Sequence, residues 1–82
     1  MHCIQLKTEG RCWRVEVRPG KGWTNYRAFL ASGQPVNKRR RIFHMAHNGE
    51  RWSRTSDLRA LRKQCPELVE QMGRVVAARV QL

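Results

Sequence analysis

Cysteine and histidine side chains are the first candidates for chemistry in this 82-residue sequence. Its three cysteines are odd in number, and no two of them have the Cys-x-x-Cys spacing of zinc or redox motifs. His44 and His47 have the spacing of two metal ligands on a helix, but the sequence around them favours a strand, in which they point to opposite faces. We therefore expect no metal site, and we expect reduced thiols at Cys3, Cys12 and Cys65, as in a cytoplasmic protein.

The sequence lacks the residues that acid–base catalysis and nucleotide hydrolysis require. The chain has only six acidic residues, and they are scattered, so no pair of catalytic carboxylates is indicated. The turn at 19–22, with the sequence Pro-Gly-Lys-Gly, lacks the other residues of a phosphate-binding P-loop. No stretch is apolar over the roughly 18 residues of a membrane span. The sequence therefore predicts no enzyme, no cofactor and no membrane partner.

Positive charge is the dominant chemical property of the chain. Lysine and arginine number 17 against 6 acidic residues, which gives a formal net charge of +11. Arginine supplies 13 of the 17, and its planar guanidinium group can hold a phosphate by two hydrogen bonds. The charges of residues 67–82 sum to zero, so the whole excess lies in residues 1–66. The composition indicates a polyanion as the partner, with a general bias toward arginine as the alternative explanation.

Basic residues concentrate in two segments. The run 38–41 could clamp a phosphate backbone, or else form a solvated junction between a loop and a strand. The second group surrounds a turn and the helix after it, where the alternative is an ordinary solvated surface. Trp23 follows a glycine-rich turn, so we expect it to be the exposed tryptophan and to stack on bases. The predicted nucleic-acid-binding residues, expected on one face, are Lys38, Arg39, Arg40, Arg41, Arg51, Arg54, Arg59, Arg62, Lys63 and Trp23.

Alternation of apolar and polar residues predicts strands in the first half of the chain. The clearest case is 11–18, where a tryptophan and two valines alternate with charged residues. The dipeptide Asn48-Gly49 is the strongest signal for a hairpin turn. Further strands are predicted at 2–9, 23–31 and 39–47, and a return strand at 51–54 with Trp52 directed inward.

The pattern changes to that of a helix after residue 53. Serine and threonine residues of 53–56 are candidate N-caps, and Leu58, Leu61 and Cys65 then fall on one helix face. Pro66 suits the first turn of a second helix. Gly73 leaves two alternatives for 74–82, a continued helix, which we favour, and a final strand. We expect one α+β domain of residues 1–82, with an antiparallel sheet of four or five N-terminal strands and one or two C-terminal helices on one face.

These features together predict a small accessory protein that binds nucleic acid, DNA or RNA, mainly through electrostatic contacts with phosphates. The alternative is an adaptor or inhibitor whose basic face docks on an acidic protein partner. Binding of nucleic acid measured at two salt concentrations would separate the two classes. The sequence leaves open whether two copies of the chain form a homodimer.

Overall fold

Four antiparallel strands form the N-terminal part of the chain. The structure, a computed structural model, describes residues 2–8, 10–32 and 42–80. Each strand pairs with the next, and the strands are β1 (His2–Thr8), β2 (Arg11–Pro19), β3 (Thr24–Ser32) and β4 (Ile42–His47). The first three predicted strands are confirmed. The fourth is confirmed over 42–47, and its predicted part at 39–41 lies outside the described residues.

Two helices follow the sheet, α1 (Leu58–Gln64) and α2 (Pro66–Val80). Pro66 is the first residue of α2, a position where its missing N–H would have no partner in any case. Because α2 continues through Gly73, the helical alternative is confirmed as far as Val80. The predicted α+β class and its order of elements are therefore correct. Within the described residues, neither helix is long and apolar enough to cross a membrane.

The helices cover one face of the sheet. Trp13, Val15 and Val17 alternate along β2 and are buried beneath them. From the helix side, Leu61 of α1 and Leu68 of α2 are fully buried against this face. Predicted burial of Trp13 is confirmed, whereas Trp52 is only partly buried at the edge of the same cluster. The remaining buried members of the cluster are Tyr26, Ala28, Phe43, Met45, Leu58, Cys65, Met72 and Val76.

The hydroxyl group of a threonine lies inside this core. Thr8 is 5% exposed, and its Oγ1 accepts a hydrogen bond of 2.9 Å from Trp13 Nε1. The Sγ atom of Cys65 lies 3.7 Å from the same oxygen. A buried indole N–H without an acceptor is costly, so Thr8 makes the burial of Trp13 tolerable. The Trp13 ring then packs against Phe43, with ring centroids 6.2 Å apart.

After β4 the chain turns back without forming a fifth strand. Gly49 has a φ of +95°, and Asn48 Oδ1 accepts hydrogen bonds of 2.8 Å from the backbone N–H groups of Glu50 and Arg51. The predicted Asn-Gly turn is therefore confirmed. The predicted return strand at 51–54 is wrong, because Trp52 forms only an isolated bridge with His47.

The segment between Trp52 and α1 covers the outer edge of β4 instead. Ser53 N donates to Ala46 O at 2.7 Å, and Ala46 N donates to Ser56 Oγ at 3.2 Å. His44 N donates to Asp57 Oδ2 at 2.8 Å, while Asp57 N donates to His44 O at 2.9 Å. Asp57 holds the N-cap position of α1 but makes no capping bond with its side chain. The prediction that a serine or threonine of 53–56 caps α1 is wrong, because these residues lie before the N-cap position. The side chains of Ser56 and Asp57 instead accept hydrogen bonds from backbone N–H groups of β4.

Candidate nucleic-acid interface

The helices leave one face of the sheet open. Side chains alternate along each strand, so this face is formed by the residues between the buried ones. The antiparallel register brings residues from all four strands side by side on it. The open face comprises Cys3, Gln5, Lys7, Cys12, Arg14, Glu16, Arg18, Asn25, Arg27, Phe29, Ile42, His44 and Ala46.

A single carboxylate is shared between two arginines on the open face. Glu16 Oε1 lies 3.8 Å from Arg27 Nη1, and Glu16 Oε2 lies 4.0 Å from Arg14 Nη2. Ion pairs as long and exposed as these contribute little to stability, about 0–1 kcal/mol each. Lys7 and Arg18 bring the cationic side chains on the described strands of this face to four, against this one acid. The open face therefore keeps a clear excess of positive charge.

Arg14 is fixed beside an aromatic ring at the centre of this face. Its Nη2 donates a hydrogen bond of 3.0 Å to Cys3 Sγ. Its guanidinium carbon lies 5.8 Å from the centroid of the Phe29 ring, within the range of a cation–π contact. A planar cationic donor and an aromatic ring side by side are the groups that contact phosphates and stack on bases.

The predicted site residues on α1 lie in the other layer of the protein. Arg59, Arg62 and Lys63 are all exposed, whereas Leu58 and Leu61 are buried on the inner side of the helix. Arg59 and Lys63 line one shallow depression together. The prediction that these three bases face solvent is therefore confirmed.

The other predicted site residues lie in turns and loops. Arg51 and Arg54 are exposed between β4 and α1. Trp23 lies in the turn before β3 and is 36% exposed, the one exposed large apolar side chain of the described part of the chain. Its predicted exposure is confirmed. The basic run Lys38, Arg39, Arg40 and Arg41 lies outside the described residues.

The described basic side chains lie on more than one surface, and the expectation that the ten predicted residues share one face stays a prediction, because residues 38–41 lie outside the described part of the chain. α1 packs on the covered face of the sheet, and its basic side chains point away from that sheet. The basic side chains Lys7, Arg14, Arg18 and Arg27 of β1–β3 lie on the opposite, open face. Sequence reasoning left Lys7, Arg14, Arg18 and Arg27 out of the site. The alternation in 11–18 was the signal that could have found two of them, because it places Arg14 and Arg18 together on the polar side of a strand.

A small cleft lies at one end of the protein, between the β2–β3 turn, the turn after β4 and the last turn of α2. Its volume is about 190 Å³, and Trp23, Tyr26, His47 and Arg79 are among its lining residues. Burial raises the pKa of the Tyr26 phenol above its usual value of 10.0, while the positive charge of Arg79 acts in the opposite direction. A guanidinium group and aromatic rings are therefore close together in this cleft.

Metal-binding groups are not assembled in the part of the chain that the structure describes. There, no three His, Cys, Asp or Glu side chains are close enough to hold an ion. The thiols are free, with Cys3 exposed, Cys12 half-buried and Cys65 buried. His44 and His47 lie on β4 with odd spacing, so they point to opposite faces of the sheet.

Comparison of the chain with protein-family models, with curated proteins and with solved structures finds no match. What the chain does has therefore to be inferred from its own side chains. The fold and the site define a small α+β protein whose sheet is covered by helices on one face and carries an excess of basic side chains on the other.

Proposed function

We propose that this chain is a small accessory protein that binds nucleic acid through the open face of its sheet. The observation that carries the proposal is that the cationic side chains Lys7, Arg14, Arg18 and Arg27 share one face of the described sheet with the single acid Glu16. Binding is mainly electrostatic, because each basic side chain that neutralises a phosphate releases a condensed counterion. Such contacts position the protein on a nucleic acid without reading its sequence.

The spacing of the basic side chains on the open face suits a phosphate backbone. Lys7, Arg14 and Arg27 come from three successive strands and are displaced by two residues along the strand at each step, so they form a diagonal row about 17 Å long. One strand of nucleic acid carries a phosphate about every 3.4 Å, which gives about five phosphates over that length, enough for each of the three side chains to contact one. Phe29 within the row adds an aromatic surface on which a base can stack.

The proposal also places the protein in the cytoplasm, where nucleic acid is accessible and thiols stay reduced. Three free cysteines, one of them exposed, support this location, because an oxidising compartment favours disulfides or fewer thiols. Fractionation of cells that express a tagged full-length chain tests it. Recovery with a membrane or periplasmic fraction would contradict a cytoplasmic location.

Fluorescence anisotropy with labelled single-stranded DNA, duplex DNA and single-stranded RNA tests the binding function. Four phosphate contacts predict that the logarithm of the association constant falls with the logarithm of the salt concentration with a slope of about −3 to −3.5. The titration runs between about 50 and 200 mM salt. A folded protein that binds none of the three probes at the low end would overturn the proposal and favour docking of the same basic face on an acidic protein.

A matched pair of triple variants locates the contact surface. The open-face variant replaces Lys7, Arg14 and Arg18 with Gln, and the helix variant replaces Arg59, Arg62 and Lys63 with Gln. Each removes three positive charges from exposed positions, so the loss of net charge is the same. The open-face variant is expected to flatten the salt slope by two to three units, and the helix variant by less than one. The reverse result would move the site to α1, where the sequence alone predicts it.

A further inference from the structure

The cleft at the end of the protein is lined by Trp23, an aromatic side chain that is not buried in the hydrophobic core. Trp23 presents its indole ring to solvent although twelve other apolar side chains and Cys65 are buried nearby in the core. The glycines around it are required by the backbone. A Cβ atom on Gly20 would lie 2.9 Å from Trp23 O, while Gly22 and Gly49 have φ of +78° and +95°. These three glycines therefore contribute lining positions of the cleft that carry no side chain.

The cleft also contains hydrogen-bond donors, and no acidic side chain of the described residues lines it. Among the same described residues, no carboxylate forms an ion pair with Arg79. His47 Nδ1 accepts a hydrogen bond of 2.9 Å from Gly49 N, which assigns the proton of the neutral ring to Nε2 and makes that atom a donor. An exposed indole ring beside a guanidinium group and a second donor suits a ligand with a planar ring and a negative charge.

We propose that this cleft binds one nucleoside monophosphate unit, with its base against the indole ring of Trp23 and its phosphate held by Arg79. The inference rests on the proposed function, because nucleic acid supplies such units as terminal or unpaired nucleotides. The volume of about 190 Å³ is below the roughly 300–1,000 Å³ of sites that enclose drug-sized ligands, so no more than one nucleotide can enter this open cleft. The open face then follows a strand while the cleft takes a single nucleotide of it.

Titration of the full-length ¹⁵N-labelled chain with AMP, adenosine and inorganic phosphate tests the site. AMP is expected to shift the backbone amide signals of Gly22, Trp23 and Gly49, and to bind more tightly than either fragment. Trp23→Ala is expected to weaken AMP binding roughly fivefold or more, the range of a lost stacking contact. Arg79→Gln is expected to weaken it about tenfold, as a lost charged hydrogen bond does.

Arg74→Gln is the matched control for Arg79→Gln. Arg74 is on the same helix, is exposed and pairs with Glu70 at 3.2 Å, so AMP affinity is expected to be unchanged. Equal weakening by both substitutions would show a general charge effect and overturn the inference. If Trp23→Ala fails to fold, Arg79→Gln still decides. Equal affinity for AMP and inorganic phosphate would show an anion site without base recognition, and also overturns it.

The outcomes distinguish binding at the cleft from binding at the open face. If AMP causes no shifts at the cleft at about 10 mM while oligonucleotides bind and the open-face variant does not, the inference falls and the proposed function stands. If AMP binds at the cleft while no oligonucleotide binds, the proposed function falls and the cleft is a site for a free nucleotide. Tighter binding of an oligonucleotide with a terminal phosphate than of one without it identifies a strand end as the source.

Discussion

At the scale of single residues, polar side chains act through partners that are distant in the sequence. Asp57 immediately precedes α1, where a carboxylate commonly caps a helix, yet its oxygen accepts from His44 N on β4. The sequence shows the capping preference but not the competing strand edge, because that edge is placed by the fold. For the same reason the link between Thr8 and Trp13 was not predictable beforehand, although burial of the tryptophan was.

The buried hydroxyl of Thr8 offers a direct measurement of such a link. Thr8→Val keeps the shape of the side chain but leaves the indole N–H of Trp13 without its acceptor, so we expect the free energy of unfolding to fall by about 1–3 kcal/mol. Thr8→Ser keeps the hydroxyl group and loses one methyl group, a change of about 0.8 kcal/mol. Urea unfolding compares both variants with the wild type, and a Thr8→Val protein as stable as the wild type would show that the bond contributes nothing.

The phenol of Tyr26 should make stability depend on pH in the alkaline range. Tyr26 is 2% exposed and burial raises its pKa, so the folded protein retains the proton at a pH where the unfolded chain releases it. The stabilisation linked to this proton is complete below pH 10.0, the usual pKa, and is lost as pH rises through the folded pKa. Urea unfolding at about pH 9, 10 and 11 should show the wild type losing stability relative to Tyr26→Phe. Parallel curves would contradict this, because other titrating groups are common to both proteins.

At the scale of elements, the periods of the hydrophobic pattern were sufficient to find the strands and helices. Alternation located β2, and helical spacing located the buried faces of α1 and α2, because in each case the pattern records which side meets the core. The return strand at 51–54 failed because a hairpin signal fixes a turn and not the length of pairing after it. The contact surface was harder to predict, since Lys7, Arg18 and Arg27 are brought onto one face only through strand pairing.

Two glycines should respond in opposite directions to the same substitution. Gly73 lies exposed inside α2, and a Cβ atom there would meet no atom within 4 Å, so Gly73→Ala is expected to stabilise the protein by about 0.5–1 kcal/mol. Gly49 has a φ of +95°, where alanine is strained, so Gly49→Ala is expected to destabilise it by about 1 kcal/mol or more. Thermal unfolding ranks the three proteins. A lower melting temperature for Gly73→Ala would mean that α2 is not a regular helix at that point.

At the scale of the whole molecule, the charge of +11 opposes folding while it favours binding. Salt screens the mutual repulsion of the basic side chains, so we expect the melting temperature to rise between about 20 and 200 mM salt. Over the same interval affinity for nucleic acid is expected to fall. Both triple variants should show a weaker rise, because each has three fewer positive charges. A melting temperature that falls with salt would show that ion pairs outweigh repulsion.

The outer edge of β4 is covered by hydrogen bonds, which limits how copies of this chain could associate through their sheets. Ser53, Ser56 and Asp57 occupy the hydrogen-bonding groups of Ala46 and His44, so a foreign strand cannot add there without displacing them. β1 is the outermost strand on the other side. Two copies joined through β1 would form one continuous eight-stranded sheet with a sealed strand at each end. Edge-to-edge growth through the described strands then stops at two, because the open-ended templating that produces fibres has no free strand of this sheet on which to continue.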